Sequence, residues 1–424
     1  MEIPEVDEGV GYAGFEEARA LILGNTAPVA TEELPLASCP GHVSAEDVFA
    51  VVDSPSNDSS LKDGFAVRSD DVLGTSDRHS ARLILVGSVF AGDGVSRQLL
   101  PGQTMKVLTG APIPHQADAV VSSEFCEEDG ETVWFRAGAS KGKNVMVAGE
   151  DVRIGMTVIA EGQVLSPARL AFAAVAGIAR LKVHRKPTVG ILSVGDELVT
   201  PGNTLKRGSI YASNSVNIGA WLSLLGVPFL TSTVGDDAGA IESSLIDLER
   251  QTDAIITNGG LMNSERDLML GVLEALDCAN LFRHVRMGPG KGTSFGIWRG
   301  KPVFCLSGSP TSSLTGFLQL VLPGICNMVG LRHGLPTASA RLTRPVRGRN
   351  KAWTEFRQAR LERDVHGTLT VVPLSDGSRS RSMADADCLL CKPEGVESLY
   401  PDQMVTVHLM DPALLWANRV PFML

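Results

Sequence analysis

The sequence predicts an α/β multidomain protein. A central α/β domain with a mostly parallel sheet is flanked by β-rich domains and followed by a small C-terminal β domain. Three observations carry this. From residue 183 to 331, short apolar runs alternate with runs of helical length, the rhythm of βαβ units on a parallel sheet. From 82 to 136 the chain reads as short strands bounded by Gly or Pro. From 332 to 424 alternating, turn-separated segments return, as in a small barrel or sandwich.

Taken in order, residues 12–23 (YAGFEEARALIL) have the apolar spacing of a helix, which Asn25 to Pro28 interrupts. Residues 31–52 alternate, and 53–64 (DSPSNDSSLKDG) are too polar for a core. The strands ARLILVGSVFAG, QTMKVLTGAPIP, ADAVVSSEF and ETVWFRA belong to a small β-rich domain over 43–140. Residues 1–42 and 141–182 then form an N-terminal and linker domain, with a helix at ARLAFAAVAGI. In the α/β domain, 183–331, TVGILSVG, VPFLTSTVGDD, DAIITNGG and KPVFCLSGSP are strands. Helices follow each of them, the first closed by Gly226. Residues 332–424 form the C-terminal β domain.

The net charge of −10 argues against a nucleic-acid binder, which carries a basic footprint. No apolar run reaches the length of a membrane span. The N-terminus MEIPEVDEGVGYAG is acidic and lacks the apolar stretch of a secretory leader, so a cytoplasmic protein with reduced thiols is expected. Cys388 and Cys391 form a lone CxxC, which reads as two small residues on a strand because a zinc site needs two more ligands.

In an open α/β sheet, ligands bind beyond the carboxyl ends of the strands. Four such ends carry GDE (195–197), GDD (235–237), NGG (258–260) and SGSP (307–310). Taken singly, each Gly-Asp turn reads as a helix cap and Lys291 as a surface lysine. Four on one rim point to a small-molecule site. Free N–H groups of the loop from Ser307 through Gly308, Ser309, Pro310, Thr311, Ser312 and Ser313, which enters a helix, suit an oxyanion. Asp196, Glu197, Asp236, Asp237 and Asp267 supply carboxylates for Mg²⁺.

These loops, in this order, resemble the molybdopterin molybdenumtransferase family (MoeA, and the gephyrin E domain in animals). The resemblance covers nearly the whole chain. Its segments are KDGFAVRSDD (62–71), FAGDGVSRQLLPGQTMKVLTGAPIPHQADAVVSSE (90–124), GEDVRIG (149–155), ILSVGDELVTPG (191–202) and ASNSVNIGAWLSLLG (212–226). The NGG loop with Asp267, PGKG (289–292) and KPVFCLSGSPTSSLTGF (301–317) complete them. The resemblance implies a homodimer with a MogA/MoaB-like central domain. Its cleft would lie between that domain of one subunit and the small β domain of the other. It also implies a reaction in which adenylylated molybdopterin and molybdate, or tungstate, are the substrates, Mg²⁺ assists, and AMP is released. An adenylylating partner protein and recipient apoenzymes follow as partners.

Carried over position by position, Asp63, Thr109, Glu197, Asp267 and Lys291 are the implied catalytic residues. Gly110, Gly195, Asp196, Asn214, Gly259, Gly260, Ser307, Gly308, Ser309, Pro310, Ser312 and Ser313 would bind the pterin nucleotide, and Glu197, Asp236 and Asp237 the metal.

The chain departs from the family pattern inside the site. Met146, Val147 and Ala148 stand where basic residues usually precede GED, and His284 and Gly288 where lysines usually precede PGKP. The glycine-rich NGG loop continues as GGLMNS (259–264), LPGNP becomes LSGSP, and Lys62 is added. Lys62, Arg286 and Lys291 are the candidates to replace the lost charge. The alternatives to a molybdenum transferase are a tungsten-specific transferase and a dimeric paralogue that binds pterin or a partner protein without turnover.

Overall fold

The computed structural model describes residues 11–94, 97–260, 268–331, 334–374 and 379–411. Its centre is a six-stranded sheet in the order Phe229–Val234, Val189–Val194, Ala254–Gly259, Lys301–Leu306, Ser294–Trp298, Ala279–Phe282. The first four strands pair in parallel and the last two antiparallel. Val189–Val194 is buried along its whole length, which explains why it reads as an unbroken apolar run. Successive side chains serve opposite faces: Ile191 joins the core beneath the helices Ser213–Leu224 and Leu322–Met328, whereas Leu192 and Val194 join the core beneath Ala238–Gln251 and Leu268–Ala275. The chain lays its second strand on one side of Val189–Val194 and its third on the other. That strand is therefore the topological switch point of the sheet, the place where ligands bind in open α/β folds.

The small β-rich region is a six-stranded sheet ordered Ala119–Ser122, Gly64–Val67, Gln103–Val107, Ala81–Val89, Thr132–Phe135, Cys126–Asp129. Both faces are buried, one by Phe65, Val67 and Phe135, the other by Ala66, Met105 and Val120. Residues 43–50, assigned from sequence to this domain, instead pair with the linker segment. Val43 bridges Val164, and Val48–Phe49 pairs with Thr157–Ile159. The physical reason is the shared core of Ala50, Val152, Leu165 and Val183.

A second correction concerns the N-terminal helix, Phe15–Gly24. Its Phe15, Ala18 and Ile22 belong to the central core, not to the linker core. Gly324 makes this docking close, since a Cβ there would sit 2.8 Å from Ile22 Cγ2.

The C-terminal strands run in the order Thr354–Arg363, Leu369–Pro373, Thr337–Leu342, Met404–Leu409, Cys388–Lys392, and the last pairs again with the first. The ring closes as a small barrel, which removes its sheet edges. The short strand Met287–Gly288 of the α/β domain adds in parallel to Thr354–Glu355 and ties the two domains together. Cys388 and Cys391 lie on a barrel strand, and burial pushes their thiols up to about 12 and about 11, so neither is a reactive thiolate. No helix among the described residues is long and apolar enough to cross a membrane.

Candidate functional site

The strand register brings the predicted loops together. Val194 is aligned with Val234 and with Gly259, and Asn258 with Leu306, so GDE, GDD, NGG and SGSP all leave the same rim. Gly259 has φ +87°, and a Cβ on it would lie 2.1 Å from Val194 O. No side chain fits there. Gly195 leaves a cradle of a different kind, because a Cβ would meet Glu197 Oε2 at 2.6 Å. The Glu197 carboxylate thus folds back over the turn.

Asp196 and Asp236 lock two loops together. The Asp236 N–H donates to Asp196 Oδ1 at 3.0 Å, and the Asp196 N–H reaches Asp236 Oδ2 at 3.4 Å. Asp237 caps the helix Ala238–Gln251 by accepting from the Ala240 N–H at 2.8 Å. Among the described residues no group of three or more His, Cys, Asp or Glu is placed to hold a metal ion by itself. Carboxylates on a shared rim fit the habit of Mg²⁺ in which one or two of them act with substrate phosphates and water. Asp267 lies outside the described residues.

On the fourth loop, Asn214 Nδ2 donates to Gly308 O at 2.9 Å and joins the helix after GDE to the SGSP turn. Pro310 opens the helix after Ser309. The hydroxyls of Ser307 and Ser313 are buried there without a hydrogen-bond partner among the described residues. Buried hydroxyls are normally paired, so these two are exceptions at the turn. Gly260, with φ +68°, sits against Val194 and Met269.

Asp63, Thr109 and Gly110 form a separate cluster on the small β domain. Asp63 Oδ1 accepts from both the Thr109 N–H at 2.7 Å and the Thr109 hydroxyl at 2.8 Å. These bonds, the backbone one first, hold the Asp63 carboxyl below its usual range although it is fully exposed. The Gly110 N–H donates to Ser60 O at 2.8 Å, which seats the TGAP turn beside Ser60.

A cavity of about 460 Å³ opens beside the rim, between the α/β domain and the C-terminal barrel. Lys291, Ser309 and Ser312, all anticipated from sequence, line one wall. Arg349, Asn350, Trp353 and Arg357 line the opposite wall, and sequence reasoning missed them. A signal existed in the run RPVRGRNK (344–351), which holds four cations in an acidic chain.

The departures from the family pattern have definite places. Met146 pairs with Ser59, and the Ala148 N–H donates to Asp58 Oδ1 at 2.9 Å. The His284 ring stacks on Tyr12 at 5.1 Å, and Gly288 lines the cavity. Arg286, expected to replace lost charge in the site, is turned away. It donates to Tyr12 O at 3.1 Å and reaches Glu394 at 3.5 Å. Lys291, Arg349 and Arg357 line the cavity instead, with Arg357 reaching Arg347 O at 3.5 Å and Glu355 at 4.0 Å.

Known proteins match this chain along most of its length. Residues 13–177 match the MoeA N-terminal region (domain I and II), and 190–326 match the probable molybdopterin binding domain. A molybdopterin molybdenumtransferase of Staphylococcus aureus is 30% identical over 373 residues, 87% of this chain and 89% of that protein. Molybdopterin molybdenumtransferase 2 of Mycobacterium tuberculosis is 32% identical over 374 residues, 86% of this chain and 91% of that one. The crystal structure of a molybdopterin biosynthesis MoeA protein from Pyrococcus horikosii superimposes with a TM-score of 0.83 at 32% identity, over 94% of this chain and 99% of that one.

Proposed function

Because the chain belongs to the MoeA family of molybdopterin molybdenumtransferases, we propose that it acts in molybdenum cofactor biosynthesis. In this reading it inserts molybdenum from molybdate into adenylylated molybdopterin and releases AMP. The observation that carries the reading is the cavity of about 460 Å³ whose walls hold Lys291 on one side and Arg349 on the other, next to the SGSP turn of the rim. A tetrahedral dianion needs cationic or N–H donors when it leaves water, and these side chains would supply them.

The rim would hold the nucleotide end. Cleaving a phosphoanhydride depends on placement and charge neutralisation more than on covalent help. The first-turn N–H groups after Ser309 have no helical acceptor, and they suit a phosphate. Glu197 and Asp236 would hold Mg²⁺, which when bound would neutralise phosphate charge and help orient water. Asp63, kept ionised by Thr109, would accept a proton or orient the attacking water. In the homodimer that the family resemblance implies, this Asp63 would face the rim of the other subunit, in a cytoplasmic enzyme.

Ala148, His284 and Gly288, which carry no fixed cation, favour two other readings: a preference for tungstate, or pterin binding without turnover. One experiment separates the three. The pure protein is incubated with adenylylated molybdopterin, Mg²⁺ and either molybdate or tungstate, and AMP and metal-loaded cofactor are quantified. AMP with molybdenum inserted is expected, and Asp63→Ala should abolish it. Metal insertion from tungstate alone would assign the other metal. Bound pterin without AMP would make the protein a binding paralogue.

A further inference from the structure

Lys392 is fully buried, at 0% exposure, and Glu355 beside it is 4% exposed. Neither was anticipated from sequence. An ammonium has three protons to donate. The Lys392 Nζ is 2.7 Å from Val396 O, 3.0 Å from Trp353 O and 3.2 Å from Asn350 O, with Pro393 O at the limit, 3.5 Å. Its counter-charge, Glu355 Oε1, lies 3.6 Å away. The same carboxylate oxygen accepts the N–H groups of Arg349 at 2.7 Å and Asn350 at 2.9 Å. The segment 349–353 is therefore held by its amides through Glu355 and by its carbonyls through Lys392. Gly348 makes room for this: a Cβ there would be 2.8 Å from Lys392 Cε and 2.6 Å from Glu397 O.

A buried ion pair is a poor stabiliser, because apolar residues of similar volume often do as well. What it supplies here is a defined position for one segment. Arg349, Asn350 and Trp353 are on that segment, and all three line the cavity opposite Lys291. Glu355 also belongs to the strand that pairs with Met287–Gly288, directly before the PGKG turn. The pair thus connects both cavity walls.

We propose that Lys392, acting with Glu355, is a positioning residue that sets the 349–353 wall against Lys291 so that the cavity is preorganised for the oxyanion. This assignment rests on the transferase reading. Lys392 touches no substrate. Its effect passes through the backbone that carries Arg349.

The test compares the full-length wild type with Lys392→Met and with the double variant Lys392→Met/Glu355→Gln, which removes both charges and protects against a misfolded single variant. Glu355 also lines the cavity and lies 4.0 Å from Arg357, so steady-state kinetics with molybdate are read from the single variant and amide hydrogen exchange from both. Faster exchange confined to 348–353 is expected, with exchange in 354–363 unchanged. The KM for molybdate should rise about tenfold or more while kcat stays within about twofold. Unchanged exchange at Arg349 and Asn350, an equal rise across the whole barrel, or an unchanged KM would overturn the proposal. A wild-type protein without metal transfer would overturn only the transferase reading. The exchange pattern and the molybdate affinity from calorimetry would then still decide the role of Lys392.

Discussion

The two walls of the site are built on opposite plans. The rim of the α/β sheet uses short loops that leave neighbouring parallel strands in register, and it offers glycine turns and carboxylates. The barrel wall uses one segment, 349–353, pinned from below by a buried Lys–Glu pair, and it offers cations. On the proposed reading the difference becomes a division of labour: the rim for adenylate cleavage, and the Lys291–Arg349 side for holding the oxyanion.

The largest expected effect tests that division on the rim. Glu197→Ala should lower AMP release about 100-fold or more, a loss typical of removing one electrostatic catalytic group. Near-normal release would take Glu197 out of the site. In a homodimer whose sites combine two subunits, mixing inactive Asp63→Ala and Glu197→Ala proteins should restore part of the activity, because each mixed dimer contains one intact pair.

Arg349→Ala comes next and addresses the opposite wall. A charge-assisted hydrogen bond contributes about 1.5–3 kcal/mol, so the KM for molybdate should rise about tenfold or more. AMP release at saturating molybdate should be nearly unchanged. If kcat fell and KM did not, the two walls would not divide the work in this way.

Gly259→Ala affects the rim as a scaffold. Its positive φ and the 2.1 Å approach to Val194 O leave no relaxed position for a methyl group. A loss of about 1–3 kcal/mol in folding stability is expected, read as a lower denaturant midpoint at constant m-value. A neutral result would show that the third and first strands can separate without cost.

The smallest effect is on pH. A depressed pKa keeps Asp63 ionised at neutral pH, and that ionisation is lost only as pH falls through the lowered folded-state value. Thr109→Ala removes the side-chain bond but keeps the backbone one, so the acid limb of the pH–rate profile should move upward without reaching that of an unbonded carboxylate. A limb that does not move would assign the acid-side titration to another group.

The same contrast explains what was legible in the sequence. The rim could be read because each loop is local: an apolar strand ends, glycine turns the chain, and a carboxylate or hydroxyl follows at once. Which of its carboxylates are committed to the protein's own backbone could not be read, since side-chain direction is not local. Asp237 turns to Ala240 and Asp196 to Asp236. Arg286 likewise looked available in the sequence but is held by Tyr12 O.

By itself, then, the sequence determined the strand and helix rhythm, the family and the rim loops, because periodicity and turn chemistry act over a few residues. Tertiary structure alone decided the rest. It docked the N-terminal helix on the central core through Ile22 and Gly324, and it gave 43–50 to the linker domain. It also brought Lys392 under Asn350, 42 positions away. Contacts at such separations depend on how whole elements pack, and a lone lysine on a β-strand carries no local mark of the carbonyls that will surround it.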